Sequence, residues 1–214
     1  MMAGDEMAFL ALIRHGQSEW NAAGLWTGLT DISLNEEGRE EARRAAEAIR
    51  AIRFDFAFTS VLKRAHETLD EILRVTGQEN LPIIRHPALN ERDYGELTGK
   101  NKWKIRDEYG EEQFLKWRRS WDYPIPGGET LRDVYQRVVP YYQERILPEL
   151  QAGRNVLVVA HGNSLRALVK DLEGISDEDI PEVELGTAEV YLYDIDPAGK
   201  VLSKEIRAVN PNVV

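Results

Sequence analysis

The chain has 214 residues, of which 43% are apolar and 30% are charged, and its formal net charge is −10. A chain of this size and composition folds around its own core, and the absence of cysteine excludes disulfides, thiolate metal sites and cysteine nucleophiles. The acidic balance argues against nucleic acid and anionic membranes as partners. No segment approaches the roughly 18 apolar residues of a membrane span, and the short acidic start lacks a secretion signal, so we expect a cytoplasmic protein.

Predicted strands and helices alternate along the chain. The strands are expected at 9–14, 54–59, 81–85 and 155–160, followed by a terminal hairpin of 189–195 and 201–206. The helices are expected over about 35–52, 65–75, 101–121, 130–150 with a disturbance at Pro140, and 163–172. This alternation predicts an α/β fold, a three-layer α/β/α sandwich whose central sheet is mostly parallel with an antiparallel edge. The length allows two small domains, but we expect one over residues 1–214, with 1–7 as a flexible N-terminal extension.

Two apolar segments run directly into a histidine and then a glycine, at Leu12–Gly16 and at Val158–Gly162. A buried strand that ends in this way delivers an imidazole to the carboxyl edge of a parallel sheet, where ligands bind. The glycine allows a sharp turn and a close approach to a ligand. We therefore expect His15 and His161 to lie together at one site.

The residues near these histidines suit phosphoryl chemistry. An imidazole nitrogen can attack phosphorus and hold the phosphoryl group covalently, and arginine forks bind phosphate oxygens in two places. Arg14 and Arg64 are the candidate phosphate ligands, and His161, if protonated, would add a cationic donor. Glu91, in a loop after the third strand, is placed to exchange a proton with a substrate hydroxyl. No paired histidine spacing indicates a metal site.

Other polar residues receive a structural interpretation. His66 and His86 lack the strand context, so we expect ordinary surface or partly packed side chains. The charge run Glu36–Glu41 is expected to be a solvated helix face. Arg118 and Arg119 are adjacent on a predicted helix and therefore point about 100° apart. Both reach one ligand only if they lie at a helix end or approach the ligand in an unusual way.

The segment Arg14–Asn21 resembles the fingerprint of the histidine phosphatase superfamily. Further segments are similar to those of one of its families, the 2,3-bisphosphoglycerate-dependent phosphoglycerate mutases, in a short bacterial form. They are Trp26–Gly28, Thr59–Arg64, Leu89–Gly95, Gly99–Lys102, Trp117–Arg119 and Ala160–Arg166. The similarity runs in the expected order from about residue 8 to residue 172.

The resemblance implies a role for each matching residue. His15 would be the phosphorylated nucleophile, and Glu91 the proton donor and acceptor. Arg14, Arg64 and His161 would hold the phosphoryl group during transfer. The residues implied to line that pocket are Ser18, Asn21, Thr27, Gly28, Gly162 and Asn163. The residues implied to bind the substrate carboxylate and second phosphate are Arg92, Tyr94, Lys102, Arg118 and Arg119.

The implied reaction is the interconversion of 3-phosphoglycerate and 2-phosphoglycerate in glycolysis and gluconeogenesis. It would pass through a phosphohistidine and a 2,3-bisphosphoglycerate intermediate, with 2,3-bisphosphoglycerate priming His15 and without a metal. The implied partners are small phosphoglycerates and further copies of the chain in a homodimer or homotetramer.

One segment departs from the family pattern. Where many members read Thr-Gly-Val-Pro, this chain has Thr187-Ala188-Glu189-Val190, which is expected to alter the backbone near the site. Two other functions therefore stay open. A phosphatase would use the same pocket to hydrolyse small phosphate esters, and a non-catalytic descendant would only bind phosphoanions.

Overall fold

A six-stranded mixed sheet forms the centre of the molecule. The computed structural model describes residues 7–210, so all but the last residue of the predicted extension over 1–7 lie outside the described part. The strands are β1 (Ala8–Arg14), β2 (Phe56–Thr59), β3 (Ile83–Arg85), β4 (Val156–Ala160), β5 (Val190–Ile195) and β6 (Val201–Arg207). Their order is β3-β2-β4-β1-β5-β6. The first four pair in parallel, whereas β5 and β6 add antiparallel strands at one side. The predicted sheet type is confirmed.

Helices cover both faces of this sheet. The α-helices are α1 (Glu19–Ala22), α2 (Glu36–Ile49), α3 (Lys63–Thr76), α4 (Lys102–Tyr109), α5 (Glu111–Arg119), α6 (Leu131–Tyr141), α7 (Leu147–Gln151) and α8 (Gly162–Glu173). Short 3-10 segments are found at Pro87–Leu89, Gly95–Leu97 and Ile180–Glu182. None of the helices described is both long and apolar enough to cross a membrane.

Strand β1 shows how the three layers are built. Side chains alternate between the two faces of a strand. Leu10 and Leu12 join a buried cluster with α6, α7 and α8, while Ala11 and Ile13 join a second cluster with α2 and α3. Because both faces are covered, β1 is an almost continuous apolar run, as expected for a central parallel strand.

Two predicted helices are interrupted in the structure. The predicted helix over 101–121 is two helices, because Gly110 has a φ of +85°, which glycine adopts without steric cost. The predicted helix over 130–150 is α6 and α7 joined by a π-turn at Tyr142–Ile146. Pro140 lies in the last turn of α6, where its missing backbone donor leaves the carbonyl of Gln136 without its usual helical partner, and the π-turn begins two residues later.

Helices α4 and α5 lie beside the sheet and have a small apolar cluster of their own. Trp26, Ile105 and Phe114 are its central members. The backbone amide of Lys102 donates to the carbonyl of Gly24 at 2.8 Å, which joins the start of α4 to the loop after α1. Helices α4 and α5 therefore place side chains opposite the carboxyl ends of the strands.

Candidate active site

The two predicted histidines meet at the carboxyl edge of the sheet. Arg14 and Ala160 are register partners at the ends of the parallel strands β1 and β4. The backbone amide of His15 continues this pairing by donating to the carbonyl of Ala160 at 2.9 Å. The imidazole rings of His15 and His161 consequently lie with their centroids 5.0 Å apart. Neighbouring parallel strands thus bring together residues that are far apart in sequence.

His15 is held in a form suited to nucleophilic attack. Its Nδ1 lies 2.7 Å from the carbonyl oxygen of Gly16, and a carbonyl only accepts, so Nδ1 carries the proton. The unprotonated Nε2 lies 3.3 Å from Nε of Arg64. Burial, followed by the charges of Arg64 and Arg14, holds the pKa of His15 well below its usual value. The ring is therefore neutral, and the lone pair of Nε2 faces the guanidinium group of Arg64.

Arg64 and Arg14 keep their guanidinium groups beside His15 through backbone contacts. Arg64, near the start of α3, donates to the carbonyls of Thr30 and Gly28 at 2.9 and 2.8 Å. Burial lowers the pKa of Arg64 to about 10, so it remains a cation at neutral pH. Arg14 donates to the carbonyl of Leu185 at 2.8 Å. These backbone contacts hold both guanidinium groups beside the His15 ring.

His161 is a neutral imidazole at neutral pH. It is fully buried, and its Nε2 lies 2.7 Å from Oγ of Ser60 at the end of β2. Within residues 7–210, its Nδ1 has no hydrogen-bond partner. Burial, then the charges of Arg64 and the neighbouring His15, holds the pKa of His161 well below its usual value. The protonated form considered from the sequence is therefore disfavoured before an anion enters.

Glu91 lies across the site on the loop after β3. Its Oε1 accepts hydrogen bonds from the backbone amides of Arg92 and Asn163 at 2.7 and 3.1 Å, and from Nδ2 of Asn163 at 3.0 Å. The loop is fixed from behind by Arg137, which donates to the carbonyl of Glu91 at 2.9 Å and pairs with Glu129. Sequence reasoning missed Arg137, which acts through the backbone and belongs to no motif that we singled out.

We call this buried group the phosphoryl floor. It consists of Arg14, His15, Arg64, Glu91 and His161.

A second group, which we call the outer wall, faces the floor from α4, α5 and the segment before β5. It consists of Lys102, Arg118, Arg119 and Glu184. Burial, and then the charge of Arg118, lowers the pKa of Lys102 to about 7. Arg118 and Arg119 lie in the last turn of α5, which is one of the two arrangements expected for adjacent residues that reach one ligand. Glu184 forms ion pairs with both arginines.

An open cavity separates the floor from the wall. Of the residues predicted for the site, the cavity is lined by Arg14, His15, Asn21, Thr27, Gly28, Arg64, Glu91, Tyr94, Lys102, Arg118, Arg119, Gly162 and Asn163. Further lining residues that the sequence reading did not assign are Leu25, Trp26, Arg166, Glu184 and Leu185. Among the described residues, no group of three or more histidine or acidic side chains is arranged to hold a metal ion.

Three predicted site residues do not line the cavity. His161 is buried beneath the residues that line it, as described above. Ser18 is the N-cap of α1 and exchanges hydrogen bonds with Asn21. Arg92 is fully buried and donates to the carbonyls of Trp117 and Arg118 at 2.8 and 3.2 Å. Arg92 therefore holds the last turn of α5, from which the wall arginines project.

The interpretation of Glu36–Glu41 as a solvated face is wrong for one side of the helix. Gly38 and Glu41 are buried against the loop that follows β1. A Cβ atom on Gly16 would overlap the backbone carbonyl of Gly38, and one on Gly38 would overlap the backbone of Gln17. The backbone of the histidine loop therefore rests directly on the first turns of α2.

The Glu41 carboxylate joins three segments beneath the site. It accepts hydrogen bonds from the backbone amide of Gln17 at 2.7 Å, from the hydroxyl of Thr187 at 2.9 Å and from the amide of Asn210 at 2.6 Å. It is 1% exposed. This buried acceptor ties the histidine loop to the segment before β5.

The departure at 187–190 has a local backbone consequence. Ala188 has a φ of +53°, in the left-handed region that favours the glycine of the family pattern. Its backbone amide nevertheless donates to the carbonyl of Arg14 at 3.0 Å. The segment thus contacts the histidine loop despite the strain.

The sequence profile of the histidine phosphatase superfamily (branch 1) matches residues 10–206. A Cytophaga hutchinsonii protein named 2,3-bisphosphoglycerate-dependent phosphoglycerate mutase is 54% identical over 188 residues, which are 88% of this chain and 88% of that protein. A Mesorhizobium japonicum protein of the same name is 50% identical over 92% of this chain and 97% of its own length.

Solved structures of similar fold include phosphatases. A mycobacterial glucosyl-3-phosphoglycerate phosphatase, solved with VO3, has a TM-score of 0.81 and 26% identity over 95% of this chain and all of that chain. The alpha-ribazole phosphatase from Shigella flexneri has a TM-score of 0.78 and 25% identity over 94% of this chain and 96% of that chain. The sequence match is closer to the mutases, and the chain belongs to branch 1 of the histidine phosphatase superfamily and, within it, to the 2,3-bisphosphoglycerate-dependent phosphoglycerate mutases.

Proposed function

We propose that this protein interconverts 3-phosphoglycerate and 2-phosphoglycerate through a phosphohistidine at His15, with 2,3-bisphosphoglycerate as intermediate and primer. The observation that carries the proposal is the outer wall. Lys102, Arg118 and Arg119 face the phosphoryl floor across the cavity and supply a second anion-binding site. The names of the relatives that are about half identical support the same substrate class.

The charge of the cavity suits a ligand with anions at both ends. A phosphoglycerate carries about three negative charges, and its bisphosphate about four to five, from phosphates of roughly −1.5 to −2 each and one carboxylate. A phosphatase for a simple monoester needs only the floor cations. The wall gives the ligand a second attachment, which favours retention of the bisphosphate while it reorients.

The floor residues have distinct roles in the proposed reaction. The P–N bond of phospho-His15 breaks as the 2-hydroxyl oxygen of 3-phosphoglycerate attacks phosphorus, and Glu91 accepts the hydroxyl proton. Arg14 and Arg64 bind the phosphoryl oxygens, and His161 donates to them at the transition state. The bisphosphate then reorients and returns its other phosphoryl group to Nε2 of His15. Glu91 gives its proton to the departing oxygen, and 2-phosphoglycerate leaves.

Several broader features belong to the same proposal. The chain acts as one domain in the cytoplasm, in glycolysis and gluconeogenesis, as a homodimer or homotetramer. Its reaction requires 2,3-bisphosphoglycerate for priming and no metal ion. The acidic net charge and the small anionic substrate are consistent with this assignment.

Phosphorus NMR of the purified protein with 3-phosphoglycerate tests the proposal. We expect 2-phosphoglycerate to accumulate only when a trace of 2,3-bisphosphoglycerate is added, with little free phosphate. EDTA in every sample tests the absence of a metal requirement. Free phosphate without the isomer would instead assign a phosphatase that admits water to the same phosphohistidine.

A further inference from the structure

A carboxylate of the protein itself occupies part of the outer wall. Glu184 lies in the segment between the 3-10 turn Ile180–Glu182 and β5. One of its carboxylate oxygens lies 3.5 Å from a guanidinium nitrogen of Arg118, and the other forms an ion pair with Arg119. All three side chains line the cavity. The two adjacent arginines are thus neutralised in part by an internal acid before any ligand binds.

The residue after Glu184 also supplies an oxygen atom to an arginine, in this case an arginine of the floor. The carbonyl of Leu185 accepts a hydrogen bond from Arg14 at 2.8 Å. The carbonyl of Glu184 accepts one from the hydroxyl of Tyr191 at 2.9 Å, which anchors the backbone to β5. Two consecutive residues therefore supply oxygen atoms to arginines on both sides of the cavity. With the backbone anchored, the side chain of Glu184 is the part that can move.

The ion pairs are partly exposed. The side chains of Arg118 and Arg119 are 18% and 21% exposed, and that of Glu184 is 29% exposed. A carboxylate or phosphate of a bound ligand would accept hydrogen bonds from the same guanidinium groups as the Glu184 carboxylate. All of these groups are oxyanions that accept charge-assisted hydrogen bonds from arginine. Two anions sharing this small space repel each other.

We propose that Glu184 is an internal competitor for the wall arginines. It occupies their donors in the free enzyme, moves toward solvent when an anionic ligand binds, and returns to promote release. It is a specificity-determining residue, since it weakens ground-state binding of ligands that span floor and wall and has little effect on an anion bound to the floor alone. The choice of 3-phosphoglycerate as the spanning ligand rests on the proposed function.

A competing carboxylate counteracts the slow ligand release that a strongly cationic cavity would cause. Tight binding of substrate and product alike lowers KM without raising kcat, and slow release then limits turnover. A charge that repels the bound ligand lowers this uniform affinity. The floor, where the reaction takes place, keeps its full set of cations.

The test compares Glu184→Gln with the control Glu182→Gln, which makes the same charge change on an exposed residue of the same segment. Calorimetric titration without bisphosphate gives the Kd of 3-phosphoglycerate and of inorganic vanadate, the floor probe. We expect Glu184→Gln to lower the Kd of 3-phosphoglycerate about five- to tenfold and that of vanadate less than about twofold. The control should change either Kd less than about twofold.

An unchanged or higher Kd for 3-phosphoglycerate in Glu184→Gln would overturn the proposal, because the carboxylate would then be neutral or would position the arginines for the ligand. An equal gain in Glu182→Gln would also overturn it, since the effect would be one of net charge.

A second measurement separates this proposal from the proposed function. The increase in Tm caused by 3-phosphonopropionate, which carries a phosphonate and a carboxylate, relative to that caused by methylphosphonate, which carries the phosphonate alone, reports anion binding at the wall without any phosphoglycerate. We expect a larger difference between the two probes in Glu184→Gln than in Glu182→Gln. If 3-phosphoglycerate did not bind or isomerise, the mutase assignment would fail, and equal differences in the two variants would still refute the competitor.

Discussion

The phosphoryl floor and the outer wall face the same cavity but are built differently. Floor residues such as His15 and His161 follow the ends of adjacent buried strands and are almost inaccessible. Wall residues such as Arg118 and Arg119 project from a short helix outside the sheet and keep about a fifth of their side-chain exposure. The floor is thus built mainly where buried strands end, whereas the wall is built by helices outside the sheet. We therefore expect changes in the floor to act on the reaction itself and changes in the wall to act on ligand binding.

The strongest test of this division is His15→Ala. We expect loss of phosphoenzyme formation and a fall in kcat of at least about 10⁴-fold, because the floor then has no nucleophile. Labelling with radioactive 2,3-bisphosphoglycerate and a coupled mutase assay measure both. His86→Ala, which alters an exposed ring stacked on Tyr141, is the control and should retain activity. Turnover by His15→Ala would remove the floor from the chemistry.

Glu91→Gln should separate two functions within the floor. The amide cannot accept the hydroxyl proton, so we expect transfer to 3-phosphoglycerate to slow by about 10² to 10⁴-fold. Phosphorylation of His15 by 2,3-bisphosphoglycerate should also be slower, because Glu91 protonates the departing oxygen in that step, but it should still reach the wild-type amount. Rapid-quench labelling follows the two steps separately, and normal transfer would exclude Glu91 as the base.

Glu41→Gln tests how far the support of the floor extends. Three donors converge on this buried carboxylate, so we expect the free energy of unfolding to fall by about 1–3 kcal/mol. Urea denaturation measures the change. Glu40→Gln, on the exposed side of α2, should cost less than about 1 kcal/mol. Equal losses in the two variants would contradict the role of Glu41 beneath the histidine loop.

The smallest expected effect is a pH dependence of ligand binding that arises from Lys102 of the outer wall. Because burial lowers the pKa of Lys102 to about 7, the free enzyme loses this cation as the pH rises above neutrality. A bound anion favours the protonated amine, so binding takes up a proton, and the Kd of 3-phosphoglycerate should rise about three- to tenfold from pH 7 to pH 8.5. Lys102→Arg should flatten this dependence, since arginine stays charged. An equally steep profile in that variant would assign the titration elsewhere.

The sequence predicts the floor better than the wall. His15 and His161 could be placed because an apolar run followed by His-Gly is a local pattern, and the parallel sheet then brings the strand ends together. Glu184 and Arg166 were not assigned, because their approach to the cavity depends on how α8 and the segment before β5 pack. Arg92 lies within a matching motif, but its burial under α5 is set by tertiary packing.

The burial of one side of the segment Glu36–Glu41 could have been predicted from the sequence. Gly38, Glu41 and Ala45 lie at helical spacing on the stripe that carries the buried alanines of α2. A glycine and a carboxylate on an apolar stripe indicate a backbone contact and a buried acceptor. The high charge of the run concealed this periodicity.

The contact between Gly16 and Gly38 limits how the protein can evolve. Each glycine lies against backbone of the other's segment, so enlarging either one creates overlap that no side-chain movement relieves. A change at one position cannot be rescued by shrinking its partner, because the partner has no side chain to lose. This pair therefore closes single-step substitution routes from both sides.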